Sequence, residues 1–159
     1  MSTKIIPILS HDEKKEYFLK ASQSERKRFP KILHKKGDYS NKVINYVLQG
    51  SYMQPHLHPG EEKIEKMYLL EGSFALILFD DDGEILETNV LKKGESEFIF
   101  VPAFTWHTYI MLDKEVIIYE TMDGVYDPFT WKKMAPWAPP ETSKLANGYY
   151  EYLKNKISL

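Results

Sequence analysis

The sequence predicts an all-β sandwich or small barrel with one helix near each end, and three observations predict it. Between residues 43 and 120, short apolar and β-branched runs recur with Gly, Pro and Asp between them, which is the punctuation of antiparallel strands. Helical signals stand on either side of this region instead. At 159 residues, 43% hydrophobic and 14% aromatic, the chain can bury one good core and is most simply a single structural domain.

Ser10-His11-Asp12-Glu13 reads as a capping box, with Ser10 as N-cap and Glu13 reaching back, so a helix is expected from about residue 11 to about residue 22. Pro30 ends anything helical and leaves 31–34 extended. After the Gly37-Asp38 turn, apolar content rises from Val43 to Tyr52-Met53, and this run is read as the strand that delivers His56. Pro59-Gly60 is a turn expected to fold the run beginning at Glu65 back beside it. Gly72 splits the apolar run 68–79, Asp80-Asp81-Asp82-Gly83 is a hairpin loop, and 84–90 alternates apolar with polar residues. Lys93-Gly94, strands at 98–101 and 108–111, the Asp113-Lys114-Glu115 turn and the run 116–120 complete the series. From Tyr126 to Pro140 the chain is rich in Pro and aromatics and is expected to wrap over the barrel, with Trp131 and Trp137 as packing anchors. A last helix is expected over 142–157, with Leu145, Tyr149, Leu153 and Ile157 forming one packed stripe. The resulting organisation is a lead-in (1–40), a barrel (41–125) and a wrap with a C-terminal helix (126–159).

Twenty-one basic and twenty-three acidic residues give a net charge of −2, too little positive field to gather nucleic acid. Without cysteine there is no disulfide, no thiolate nucleophile and no Cys-held zinc. The apolar run 5–9 is short and broken by Pro7, and no stretch reaches the length of a membrane span. A cytoplasmic protein that engages neither membrane nor nucleic acid is the expectation.

The chemistry concentrates at His56-Leu57-His58, Glu65 and His107. Alternate residues of an extended strand share a face, so His56 and His58 can aim two imidazoles at one point. With Glu65 and with His107 from a distant strand, the donors are three nitrogens and one oxygen. That mix suits one divalent transition metal, whether zinc, iron, nickel, copper or manganese, and does not choose among them. The plainer alternative is a pair of solvated histidines with His107 hydrogen-bonded in the core. Arg26 and Arg28 are the only arginines among the basic residues, and their planar donors suit a carboxylate or phosphate. Equally, they are two charges at a solvated helix end.

At His56, His58, Glu65 and His107, flanked by Gly50 and Gly72, the chain resembles the cupins, β-barrels of jelly-roll type. Gly50, His56, His58, Glu65 and Gly72 match their first motif except for a longer His-to-Glu gap, which leaves Glu61 and Glu62 as rival carboxylates. Gly94, Pro102 and His107 match the second, with Phe104 where the family has glycine. Within the cupins the chain looks like the WbuC-type metalloproteins over 21–141, on Arg26 and Arg28, His34, Gly50-Ser51-Tyr52, Thr105-Trp106-His107, Glu120, Tyr126 and Ala135-Pro136-Trp137. It departs from them at Ile32, Met122 and Val125. The resemblance implies a cupin barrel with a helix packed outside at each end, a metal on the His/Glu set, a small anionic or sugar-like ligand and a link to surface polysaccharides. It also makes a homodimer the candidate assembly.

On that basis Arg26, Arg28 and His34 are expected to position an anionic ligand, and Tyr52, Glu120 and Tyr126 are candidates for proton transfer. A metal-assisted isomerase, epimerase or lyase is the first expectation. The alternatives are a non-catalytic sugar or small-acid binding metalloprotein and a metal-free epimerase using His56 or His107 as base.

Overall fold

A computed structural model describes residues 5–157. Twelve elements follow in order among these residues: α1 (His11–Gln23), β1 (Arg28–Ile32), β2 (Ser40–Leu48), β3 (His56–Leu57), β4 (Glu65–Glu71), β5 (Ser73–Phe79), β6 (Ile85–Lys92), β7 (Phe98–Val101), β8 (Trp106–Met111), β9 (Glu115–Asp123), β10 (Lys133–Met134) and α2 (Ala146–Lys156). The strands form two five-stranded antiparallel sheets, ordered β1-β2-β9-β4-β7 and β10-β3-β8-β5-β6. Facing one another they make the jelly-roll barrel that the resemblance implied, with a helix outside each sheet.

Three layers of side chains account for the near-continuous apolar runs. Inside the barrel, alternate residues such as Val47, Leu69, Phe74, Leu76, Val116 and Ile118 form the innermost cluster. The other faces of β2 and β9 give Ile44, Tyr46, Ile117 and Tyr119, which α1 covers with Phe18. The other face of β5 gives Ala75, Ile77 and Phe79, which share a cluster with Tyr150, Leu153 and Ile157 from the C-terminal helix region. A central strand covered on both faces has no polar side to display, so β5 loses the alternation that the exposed edge strand β6 keeps. Each such large side chain removed from water stabilises the fold by roughly 1.5–3 kcal/mol.

Ser10 caps α1, its hydroxyl accepting from the Glu13 N–H at 3.1 Å. The return half of the capping box does not form, because the Glu13 carboxylate binds Lys31 and the Tyr46 hydroxyl and so fastens the helix to β1 and β2. The C-terminal stripe also shifts. Leu145 precedes the helix and is exposed, and the buried set is Ala146, Tyr150, Leu153 and Ile157.

The connections around the site differ from the expected ones. The strand expected to run into His56 ends at Leu48; Gly50, at φ 92°, turns the chain out of the first sheet, and β3 begins in the second. Glu65 does not lie beside the histidine strand, since β4 pairs with β7 and β9 in the opposite sheet. The carboxylate therefore meets the imidazoles across the barrel.

Candidate metal centre

β3 and β8 are antiparallel neighbours with His56 opposite His107, which sets two imidazoles side by side with ring centres 4.5 Å apart. His58, just past β3, adds a third ring 5.1 Å from His56. Glu65 opens β4 and faces them from the other sheet. One ligand atom from each of the four lies within 4.8 Å of the other three, and all four side chains are buried. Glu61 and Glu62, the rival carboxylates, stay exposed in the preceding loop.

Each imidazole is held by its second nitrogen. His56 Nδ1 lies 2.9 Å from the Gln54 carbonyl, His58 Nδ1 2.9 Å from that of Trp131, and His107 Nδ1 2.9 Å from that of Thr105. A carbonyl oxygen only accepts, so each Nδ1 carries the proton and each Nε2 of a neutral ring presents a lone pair. The Glu65 carboxylate meets these lone pairs, with Oε2 at 2.9 Å from His107 Nε2 and 3.3 Å from His58 Nε2. Four acceptors converge with no donor among them unless a ring takes a second proton. A divalent cation satisfies all four at once, so the donor set fits the metal that the fold family implies.

The electrostatics match this arrangement. Burial, then the neighbouring His107 and His58, push His56 well below the usual histidine value, so it remains a neutral ligand. Burial raises Glu65, but when His107 or His58 carries a second proton its hydrogen bond to the carboxylate outweighs burial and holds the carboxyl well below its ordinary range. Beside the cluster a cavity of about 160 Å³ is lined by His56, His58, Glu65, Glu120, Asn41, Met122 and Lys132, among others. Burial, then the Glu65 charge, raise Glu120 well above the usual carboxyl value, although Asn45 donates to it.

The other expected site residues fall in different places. Glu120 is in the cavity wall. Arg26 and Arg28 both bind Glu141, at 2.9 and 2.5 Å, and Arg28 also donates to the Ser51 hydroxyl and the Tyr52 carbonyl. The forks expected to grip a ligand thus grip a carboxylate of the chain itself. The His34 ring closes the β1–β2 turn against the Lys42 backbone. Tyr52 donates its hydroxyl to the Pro139 carbonyl at 2.7 Å and packs edge-on to Tyr149. Tyr126 is exposed and rests on Trp131, 5.2 Å between ring centres. Sequence reasoning missed Asn41, Asn45 and Lys132. Asn41 and Asn45 alternate along β2 with Val43, a period-two signal that could have placed them on one inner face. Lys132, in the irregular wrap, carries no such signal.

Phe104 occupies the motif position where the family has glycine, and its φ of 59° lies in the left-handed region that favours glycine. Its N–H donates to the His58 carbonyl at 3.0 Å, so the turn ties the two halves of the histidine set together. Among the described residues no helix is long and apolar enough to cross a membrane.

The fold recurs in solved structures of low identity. SO0799 from Shewanella oneidensis superposes with a TM-score of 0.57 at 14% identity, over 82% of this chain and 86% of that one. CapF from Staphylococcus aureus, described as a capsular polysaccharide assembling protein, gives 0.56 at 18% identity, over 66% of this chain but 28% of CapF. This chain therefore corresponds to less than a third of CapF. A Klebsiella pneumoniae protein described as having a double-stranded β-helix domain gives 0.53 at 12% identity, over 68% and 84%. These likenesses establish the cupin fold. No curated protein matches the chain. A family model described as a domain of unknown function, DUF6016, matches residues 9–91.

Proposed function

The chain belongs to the DUF6016 family, a domain of unknown function, and we propose from its own residues that it is a metal-binding cupin acting on a small anionic or sugar-like molecule inside the barrel. The observation that carries this reading is the convergence of three imidazoles and one carboxylate within 4.8 Å, each imidazole locked by a backbone carbonyl. His56, His58, His107 and Glu65 would hold a divalent zinc, iron, nickel or manganese ion. When bound, the ion supplies a Lewis acid that polarises a carbonyl or stabilises an enolate. Glu120 stands at the cavity wall, where burial and then the Glu65 charge raise its carboxyl well above the usual value and Asn45 donates to it. An acid of that kind beside a polarised carbonyl suits isomerisation, epimerisation or a lyase step. The WbuC-type resemblance and the capsular polysaccharide role given for CapF both favour surface-polysaccharide metabolism as the setting.

Elemental analysis of protein purified without an affinity tag or added metal tests the reading, beside His56→Ala and His107→Ala. The expected result is near one metal per chain, lost in both variants. Wild-type protein that is metal-free and stays so when ions are offered overturns it. Catalysis is then separated from simple binding by Glu120→Gln, which is expected to abolish turnover while ligand affinity persists. A second reading rests on the direct Glu65–His107 contact of 2.9 Å: with a proton in place of the ion, the two form an acid–base pair for metal-free epimerisation. The same elemental analysis decides between the two.

A further inference from the structure

The cavity wall carries two polar groups that the metal centre does not use. Lys132 comes from the wrap and lines the cavity with His56, His58 and Glu65. Among the described residues no carboxylate lies within ion-pair distance of its ammonium group. Lys132 is exposed as a whole and stands at the cavity mouth, where desolvation, then the guanidinium charges of Arg26 and Arg28, lower its pKa from lysine's ordinary value. The contrast with Arg26 and Arg28 is direct, because Glu141 answers both of them.

Asn41 is the second group. Its amide nitrogen donates to the carbonyls of Gly124 and Met122, at 2.5 and 3.2 Å, so the orientation of the amide is fixed. Its Oδ1 is buried without a hydrogen-bond partner. A buried acceptor left unmade is costly, and a ligand hydroxyl supplies the missing donor.

The remaining wall limits the ligand's charge and size. Glu65 and Glu120 both line the cavity; the divalent ion would answer the Glu65 charge, which leaves the Lys132 ammonium to match a single carboxylate. The volume of about 160 Å³ is close to the roughly 150 Å³ of a cavity that takes a benzene-sized molecule, so the interior suits a small acid. We propose that the cavity takes a small hydroxy acid, its carboxylate on Lys132, a hydroxyl donating to Asn41 Oδ1, and the rest of the molecule turned toward the His/Glu cluster. This deepens the metal-centre reading and rests on it for the ligand's third point of attachment.

Calorimetric titration of glycerate into wild type, Lys132→Met and Lys132→Arg tests the proposal, with each protein run both zinc-loaded and metal-free after its zinc content has been measured. Propionate, glycerol and glycerol phosphate serve as comparison ligands. Lys132 is at the surface end of the wall, so both variants are expected to match wild type in circular dichroism and zinc content. Glycerate is expected to bind wild type, to lose about tenfold or more in affinity with Lys132→Met, and to stay within about threefold with Lys132→Arg. Propionate, which lacks the hydroxyls, is expected to bind about tenfold more weakly than glycerate, and glycerol to give no heat. Equal affinity in wild type and Lys132→Met, glycerol binding as well as glycerate, tighter binding of glycerol phosphate, or no glycerate binding in either form overturns the proposal. If wild type holds no zinc, the metal reading fails, while Lys132-dependent heats in the metal-free protein still support anion recognition and their absence rejects it.

Discussion

Two charged clusters lie within this small barrel and solve the same problem in opposite ways. Around Glu141, donors meet an acceptor: Arg26 and Arg28 both donate to its carboxylate, and Arg28 also donates from Nη1 to the Ser51 hydroxyl and the Tyr52 carbonyl. Burial pushes Glu141 up, yet those hydrogen bonds and charges hold it below the ordinary carboxyl value. Around Glu65 only acceptors meet, because every imidazole has already committed its N–H to a carbonyl. A cluster that closes on itself is part of the fold, whereas one left with surplus lone pairs is completed from outside the chain.

The largest expected effect breaks the second cluster and spares the first. His107→Ala removes a ligand outright and is expected to lower zinc affinity beyond the roughly 10–100-fold that loss of a supporting hydrogen bond costs, as read by chelator competition. Glu141→Ala should leave that affinity unchanged. Conversely, Glu141→Ala strands the buried Arg28 with only Ser51 and a carbonyl, and should cost about 2–3 kcal/mol of unfolding free energy in urea. A loss as small as that of a surface pair would dissolve the distinction between the clusters.

A smaller, pH-dependent effect sharpens the comparison. Glu120 is raised by burial and by the Glu65 charge. Its contribution to the stability of metal-free protein is therefore complete below the unfolded carboxyl value of about 4.3 and is lost as pH rises through the raised folded value. Glu120→Gln stays neutral throughout, so its urea midpoint should match wild type near pH 4 and exceed it increasingly toward pH 8. A constant difference across that range would remove Glu120 from the buried-acid role. The smallest effect belongs to Arg26→Ala, whose half-exposed ion pair should cost under about 1 kcal/mol in the same urea experiment.

Much of the barrel was legible because its signals are local. Ser10 predicted the start of α1, and the hairpin glycines predicted where strands end, Gly72 being one: a Cβ there would meet the Glu115 carbonyl at 2.7 Å. The metal set was legible because His56 and His58 alternate along one short segment, with Glu65 and His107 opening later strand-like runs; His56 begins β3 and His107 is the second residue of β8. What escaped depends on pairing across the fold. Nothing near Glu65 says that β4 belongs to the opposite sheet, and nothing near Arg28 says that a carboxylate 113 residues away will engage it. Leu145 fits the helical period, but the helix begins one residue later and turns Ala146 and Tyr150 inward instead. Lys132 belongs to a segment whose course is set by contacts rather than by periodicity, with Lys63 donating to the Thr130 carbonyl at 2.9 Å beside it.

The carbonyl locks on the three histidines carry a consequence for how this site can vary. Gln54, Thr105 and Trp131 each orient a ring through the main chain, and nearly every amino acid brings the same oxygen to those positions. A substitution scan scored by zinc retention would therefore under-read the main-chain role, since what it detects at Gln54 and Trp131 includes the side chains' own contacts, Gln54 with the Ala135 and Ala138 carbonyls and Trp131 edge-on to His58. The carbonyl itself is lost only where a replacement moves the backbone, so Lys132→Pro, which would restrict residue 131, is expected to disturb His58 although the Trp131 ring that packs on it is kept. Part of the metal centre is thus inherited as the path of the chain, and substitution patterns at those positions would report the side chains' contacts rather than the carbonyls that aim the rings.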